Sequence, residues 1–161
     1  MKEITFDFNN IGGVLHLYAI PASPGLKIVT DYVTGTKTAI FRNRHDIISI
    51  EMYADDTFRF AETKDESEGG VFYDIAITGV IPKWSPDNDV TIEDLERGEW
   101  MVIVKDNNGV VRLAGSEYAP LRFNTVKDTG TTRPNRNGIA FTFTGKQPDP
   151  SLAVDATDIL V

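Results

Sequence analysis

The chain contains no cysteine, and only two histidines, three methionines and two tryptophans among its 161 residues. Without cysteine it has no disulfides, no thiolate nucleophile and no thiolate metal site, so packing and hydrogen bonding must supply its stability. That absence leaves the redox compartment open. His16 alternates within an apolar run, and His45 sits in the basic stretch RNRHD. They read as a packed strand histidine and a solvated loop histidine, not as a general base or a ligand pair. Long hydrophobic runs are missing too, since no stretch approaches the roughly 20 apolar residues that span a bilayer. The first residues, MKEITFDFNN, alternate polar and apolar positions where a signal peptide would have a basic region and an apolar core. They predict a strand, in a soluble protein made in the cytoplasm.

Motifs that carry chemistry are scarce. There is no Gly-x-Ser-x-Gly elbow, and Gly115-Ser116-Glu117 follows a strand in the manner of a turn. Gly12-Gly13 and Gly69-Gly70 lack the spacing and the Lys-Ser/Thr of a phosphate-binding loop. Asp87-Asn88-Asp89-Val90-Thr91 sets oxygens at alternate positions as a calcium loop does, but Ile92 and Gly98 stand where such a loop needs glycine and glutamate. Helix capping explains those acids better. Asp55-Asp56 and Asp65-Glu66 are sequence neighbours in turns, whereas glycosidase carboxylates converge across a cleft of about 5–10 Å. The expectation is no catalytic residue, no cofactor and no metal.

What is present is β grammar. In WMVIVKDNNGVVRLAGSEYAPLRF, the Asn-Gly step at 108–109 accepts the positive φ of a tight turn and predicts that 101–105 pair with 110–114. Residues 3–8 place Ile4, Phe6 and Phe8 on one face, and 47–53, 57–61 and 139–143 repeat that period of two. Residues 14–20 are apolar on both faces, as an interior strand requires. Residues 70–80 make the longest strand candidate, and the acidic KDESEGG before it reads as a flexible loop. Residues 91–97 form the one predicted helix, with Thr91 and Asp94 as its capping pair and Gly98 at its end. The predicted fold is all-β, a single-domain antiparallel sandwich or barrel over 1–161 with one short helix. An extended, polar hairpin or arm is expected at 22–46 and an extended tail at 146–161.

The net charge of -8 opposes docking on a phosphate backbone, so sequence-specific nucleic acid binding is not expected. The charge is unevenly spread. Residues 26–46 hold Lys27, Lys37, Arg42 and Arg44 against Asp31 and Asp46, while 51–74 hold eight acids against Arg59 and Lys64. Such segments are either solvated loops or complementary edges that meet between copies of the protein. The second reading makes Lys37, Arg42, Arg44, Glu62, Asp65, Glu66 and Glu68 interface candidates, with Trp84 added as an exposed aromatic beside Pro86.

The segment DNNGVVRLAGSEYAPLRF, the loop DTGTTRPNRNG and the strand IAFTFTGKQPDP resemble structural proteins of phages and prophages of Bacteroides-like hosts, over about residues 70–150. The resemblance is to tail or head-to-tail components, and it implies a subunit that needs no active site. Such a subunit assembles through sheet edges and hairpin arms into rings or stacks, with itself and other virion proteins as partners and no membrane or small-molecule substrate. Its place would be the host cytoplasm during assembly and then the virion. An acidic subunit could also line a channel that DNA passes without adhering. Two rivals are a carbohydrate-binding β-sandwich module and a small β-barrel enzyme.

Overall fold

The computed structural model describes residues 11–23, 26–41, 46–51, 58–82, 85–128 and 138–155. They form β1 (Val14–Pro21), β2 (Leu26–Thr30), β3 (Lys37–Phe41), β4 (Ile48–Glu51), β5 (Arg59–Ser67) and β6 (Gly70–Pro82). After α1 (Pro86–Arg97) come β7 (Glu99–Asp106), β8 (Val111–Ala114), β9 (Leu121–Asp128), β10 (Gly138–Gln147) and β11 (Leu152–Ala153). The fold is all-β with one short helix, and every pairing between named strands is antiparallel. The strand expected at 3–8 lies outside the described residues, as does most of the polar loop after β9.

β7 organises the larger sheet. One of its edges pairs with β1 from Pro21↔Trp100 to Val14↔Asp106. Its other edge is shared, since Glu99 and Trp100 pair with β9 and residues 102–105 pair with β8. β4, β1, β7, β8 and β11 therefore run side by side, and at Trp100 the ladder continues into β9, β10, β6 and β5. The two wings fold toward each other. Val14, Leu17, Ala19, Val102 and Val104 from the first share one core with Phe58, Ile75, Ile77, Phe123, Ile139, Phe141 and Phe143 from the second. At the far ends of the ladder, the Ser151 amide beside β11 donates to Glu62 Oε2 on β5 at 2.7 Å. That contact brings the open borders of the sheet close to closure.

The aromatic part of the core follows from strand alternation. On β10, Phe141 and Phe143 both point inward, and β9 adds Phe123 opposite Phe143. Ring centroids lie 4.8 Å apart for Phe123 and Phe143 and 5.4 Å apart, edge to face, for Phe58 and Phe141. Such pairs add about 0.5–1.5 kcal/mol beyond the area they bury. β1 and β7 bury their second faces as well, in a cluster of Ile20, Met101, Ile103, Leu113 and Val154. This two-sided burial is what the apolar reading of 14–20 requires.

The helix begins at Pro86, five residues before the capping pair expected from sequence. Pro86 occupies the first turn, where its fixed φ suits a helix and its missing N–H costs no bond, and Asp87 and Asp89 face the positive end of the dipole. Thr91 is thus mid-helix and not a cap. Ile92 and Leu95 fill the core, and the Trp100 indole Nε1 donates to Leu95 O at 2.8 Å, satisfying a carbonyl that the last turn leaves unpaired. Asp89 pairs with Lys127 at 3.0 Å, and Glu96 accepts from Thr125, which fixes the helix along β9.

The acidic segment 64–70 is not a loop. β5 continues to Ser67, Glu68 and Gly69 turn the chain, and Gly70 opens β6 with φ 117°. Pairing from Arg59↔Thr78 to Ser67↔Gly70 overrides the composition, because a strand bordering solvent accommodates charged side chains.

Gly79 on β6 marks where the core admits no further atom. A Cβ there would collide with Phe58 Cδ1 and lie 2.5 Å from Phe141 Cζ. Gly79→Ala is expected to destabilise the fold by about 1–3 kcal/mol, the usual cost of overpacking. The measurement is a lower denaturant midpoint at unchanged slope.

Candidate interaction surface

The hairpin β2–β3 forms a separate two-stranded sheet, with Leu26 opposite Phe41 and Thr30 opposite Lys37. The two strands fall within the polar hairpin or arm expected at 22–46, but Tyr32 and Val33, residue types that favour strands, lie in the turn between them. Asp31 causes this. Its Oδ1 accepts from the Val33 amide at 2.9 Å and its Oδ2 from Thr34 Oγ1 at 2.8 Å, while its backbone carbonyl accepts from Gly35 N at 2.7 Å. A carboxylate that caps its own turn outcompetes the next two strand positions. These bonds, led by the Val33 amide, hold the Asp31 carboxyl below its ordinary pKa of 3.8. The tip is consequently an ordered turn bearing a negative charge.

Tyr32 and Val33 are left 95% and 93% exposed at that tip. Below them Ile28, Val29 and Ile40 are also exposed, whereas Ala39 is fully buried. The hairpin is tied to the body through its edge: Thr38 pairs in parallel with Asp155, Ala39 N donates to Asp155 O at 3.2 Å, and Asp155 N donates to Lys37 O at 2.8 Å. It is clamped along residues 37–39, the half of β3 nearest the turn, and beyond that clamp its tip is apolar and exposed.

The interface candidates named from sequence divide into groups. Lys37 stands at the base of the tip, half-buried, with its carbonyl engaged by Asp155. Asp65 and Glu66 are exposed on β5 and Glu68 is exposed in the turn after it. Glu66 takes Lys64 Nζ at 2.5 Å, and Glu62 is committed to the Ser151 amide. Arg42, Arg44 and Trp84 lie outside the described residues. Glu62, Asp65 and Glu66 therefore share one border strand, and Glu68 follows it in the turn. Sequence reasoning missed Tyr32 and Val33, although the D-Y-V-T-G spacing of a side-chain-capped turn was available to find them.

One further cluster has the residue types of a catalytic site. His16 Nε2 lies 2.9 Å from Ser49 Oγ and 3.6 Å from Glu51 Oε1, and its ring stacks on Tyr18 at 4.7 Å between centroids. In a serine triad the carboxylate holds the nitrogen opposite the one facing serine. Here both oxygens approach the same nitrogen, so Glu51 competes with Ser49 and cannot orient the ring for it. The group reads as cross-strand pairing between β1 and β4, whose register sets His16 opposite Glu51 and Tyr18 opposite Ser49. Asp87 and Asp89 lie in the first turn of α1, whose backbone cannot wrap an ion as a calcium loop does. Among the described residues no group of three or more His, Cys, Asp or Glu is placed to hold a metal, and no helix is long and apolar enough to cross a membrane. No family model, no curated protein and no solved structure matches the chain.

Burial lowers the His16 pKa from its ordinary 6.5, Glu51 acting against that shift and Lys105 with it. The unfolded chain then takes up the proton at higher pH than the folded one, so stability falls as pH drops below 6.5 and levels off beneath the lowered folded value. The thermal midpoint is expected to decline across that window, and His16→Gln to flatten the decline. An equal decline in the variant would show that the histidine does not contribute to it.

Proposed function

We propose that this chain is a non-enzymatic structural protein of a phage or prophage tail or head-to-tail connector, which joins copies of itself and other virion proteins through its hairpin arm and sheet borders. The observation that carries the self-assembly is the tip of the β2–β3 hairpin, where Tyr32 and Val33 project almost wholly into solvent from a turn held by Asp31. Burying a large apolar side chain is worth about 1.5–3 kcal/mol, and a turn already rigid loses little entropy when it docks. An apolar tip on an ordered arm fits a part that mates with another surface.

The sheet borders support the same reading. β5 is nine residues long, pairs with β6 along one edge among the described residues, and carries a row of exposed charges. Its charges, Glu62, Lys64, Asp65 and Glu66, restrict a neighbour to a matched surface and discourage indiscriminate sheet growth. The virion assignment itself draws on the resemblance of residues 70–150 to phage structural proteins, and the acidic balance agrees with a subunit that lies near DNA without binding it.

Light scattering after size exclusion, run over a range of concentrations, is expected to give multiples of the 17.8 kDa chain. Replacing Tyr32 and Val33 together by serine is expected to shift that population toward monomer at an unchanged melting temperature. A wild-type protein that stays monomeric at every concentration overturns the assembly reading. Neighbouring genes for portal, capsid or tape-measure proteins are expected, and a locus without them overturns the virion assignment.

A further inference from the structure

A cavity of about 460 Å³ opens where the start of β1 meets the start of β5 and the turn between β7 and β8. Val14, Phe58, Phe60 and Val104 give it an apolar floor, and Arg59 and Arg112 stand at its walls. Asp106 also lines the cavity, its Oδ1 accepting from the amides of Asn108 at 2.9 Å and Val110 at 2.8 Å, so the lining sets two arginines against one carboxylate. Neither arginine has an ion-pair or hydrogen-bond partner among the described residues. In a chain of net charge -8, two uncommitted guanidinium groups beside one apolar hollow make a local exception.

The hairpin tip has the opposite character: an ionised Asp31 followed by an aromatic and a branched apolar side chain. The chain cannot easily satisfy one with the other. Parallel pairing of Thr38 with Asp155 runs the residues before Thr38 back alongside Ala153 and Leu152, toward the Leu113 end of β8. The cavity lies beside Val110, at the other end of that strand.

We propose that the tip of one copy, Tyr32 and Val33 led by the Asp31 carboxylate, enters the cavity between Arg59 and Arg112 of a second copy. The tyrosine ring meets the apolar floor with a guanidinium against its face, and the carboxylate meets the other arginine. Because tip and cavity are different surfaces, each copy offers a tip to one neighbour and a cavity to another. Repetition of that contact closes a ring or extends a filament. The inference deepens the assembly reading above and rests on it.

A chain without cysteine lets introduced thiols report on this contact without background. Val33→Cys and Val110→Cys, purified separately and mixed under mild oxidation, are expected to give a disulfide-linked dimer that neither variant gives alone. A disulfide from Val33→Cys by itself means tip-to-tip contact and overturns the proposal. Mixed variants that assemble by light scattering yet stay unlinked also overturn it, while leaving the assembly reading in place. Arg112→Glu supplies a second measurement, since an exposed side chain can be reversed without loss of the fold. It is expected to lose self-association at an unchanged melting temperature, and unchanged association overturns the docking. A wild-type protein that never associates removes the docking together with the reading it rests on.

Discussion

The burial of β7 on both faces, with hydrogen bonds along both edges, is the constraint from which the rest of the architecture follows. Trp100, Val102 and Val104 face one core while Met101 and Ile103 face the other. A strand apolar on both sides must lie inside, so each neighbour is placed by what it covers. β1 meets the same demand along one edge, and the other edge divides between β8 and β9. That division at Trp100 is where the sheet changes wing. The same indole holds the last turn of α1, so one residue joins the two wings and the helix.

Charge is handled at the periphery. Glu93–Arg97, Glu99–Arg122 and Asp74–Lys146 are exposed pairs of the kind worth little individually, and they leave the apolar interior to decide the fold. Charge elsewhere is unevenly placed. Arg59 and Arg112 share one hollow, the acids of β5 share one border, and Asp31 heads the hairpin tip. In the proposed assembly, such segregation would orient one copy against the next.

The sequence was most legible where one short-range rule governs. The Asn-Gly turn placed β7 against β8 with Lys105 opposite Val111, and alternation put Phe141 and Phe143 inside. It was less legible where two local signals compete. Acidic residues at 64–68 look solvated, yet backbone pairing with β6 keeps most of them in a strand. Thr91 and Asp94 look like a capping pair, but Pro86 starts the helix a turn earlier. Tyr32 and Val33 carry strand propensity, but the Asp31 side chain captures their backbone for a turn. In each case a specific hydrogen bond or position outweighed average propensity.

By itself, the order of residues determined an all-β chain, an interior strand at 14–20, the reversal at 108–109 and the faces of the aromatic core, because periods of two and turn residues act over a few bonds. It also determined that thiol chemistry is absent. Only the folded chain decided which strands are neighbours and that β7 serves three of them. Only the folded chain set Glu62 against Ser151 across 89 residues and brought Arg59 and Arg112 to a single hollow. Those relations depend on which distant segments bury one another best, and no local pattern carries that information.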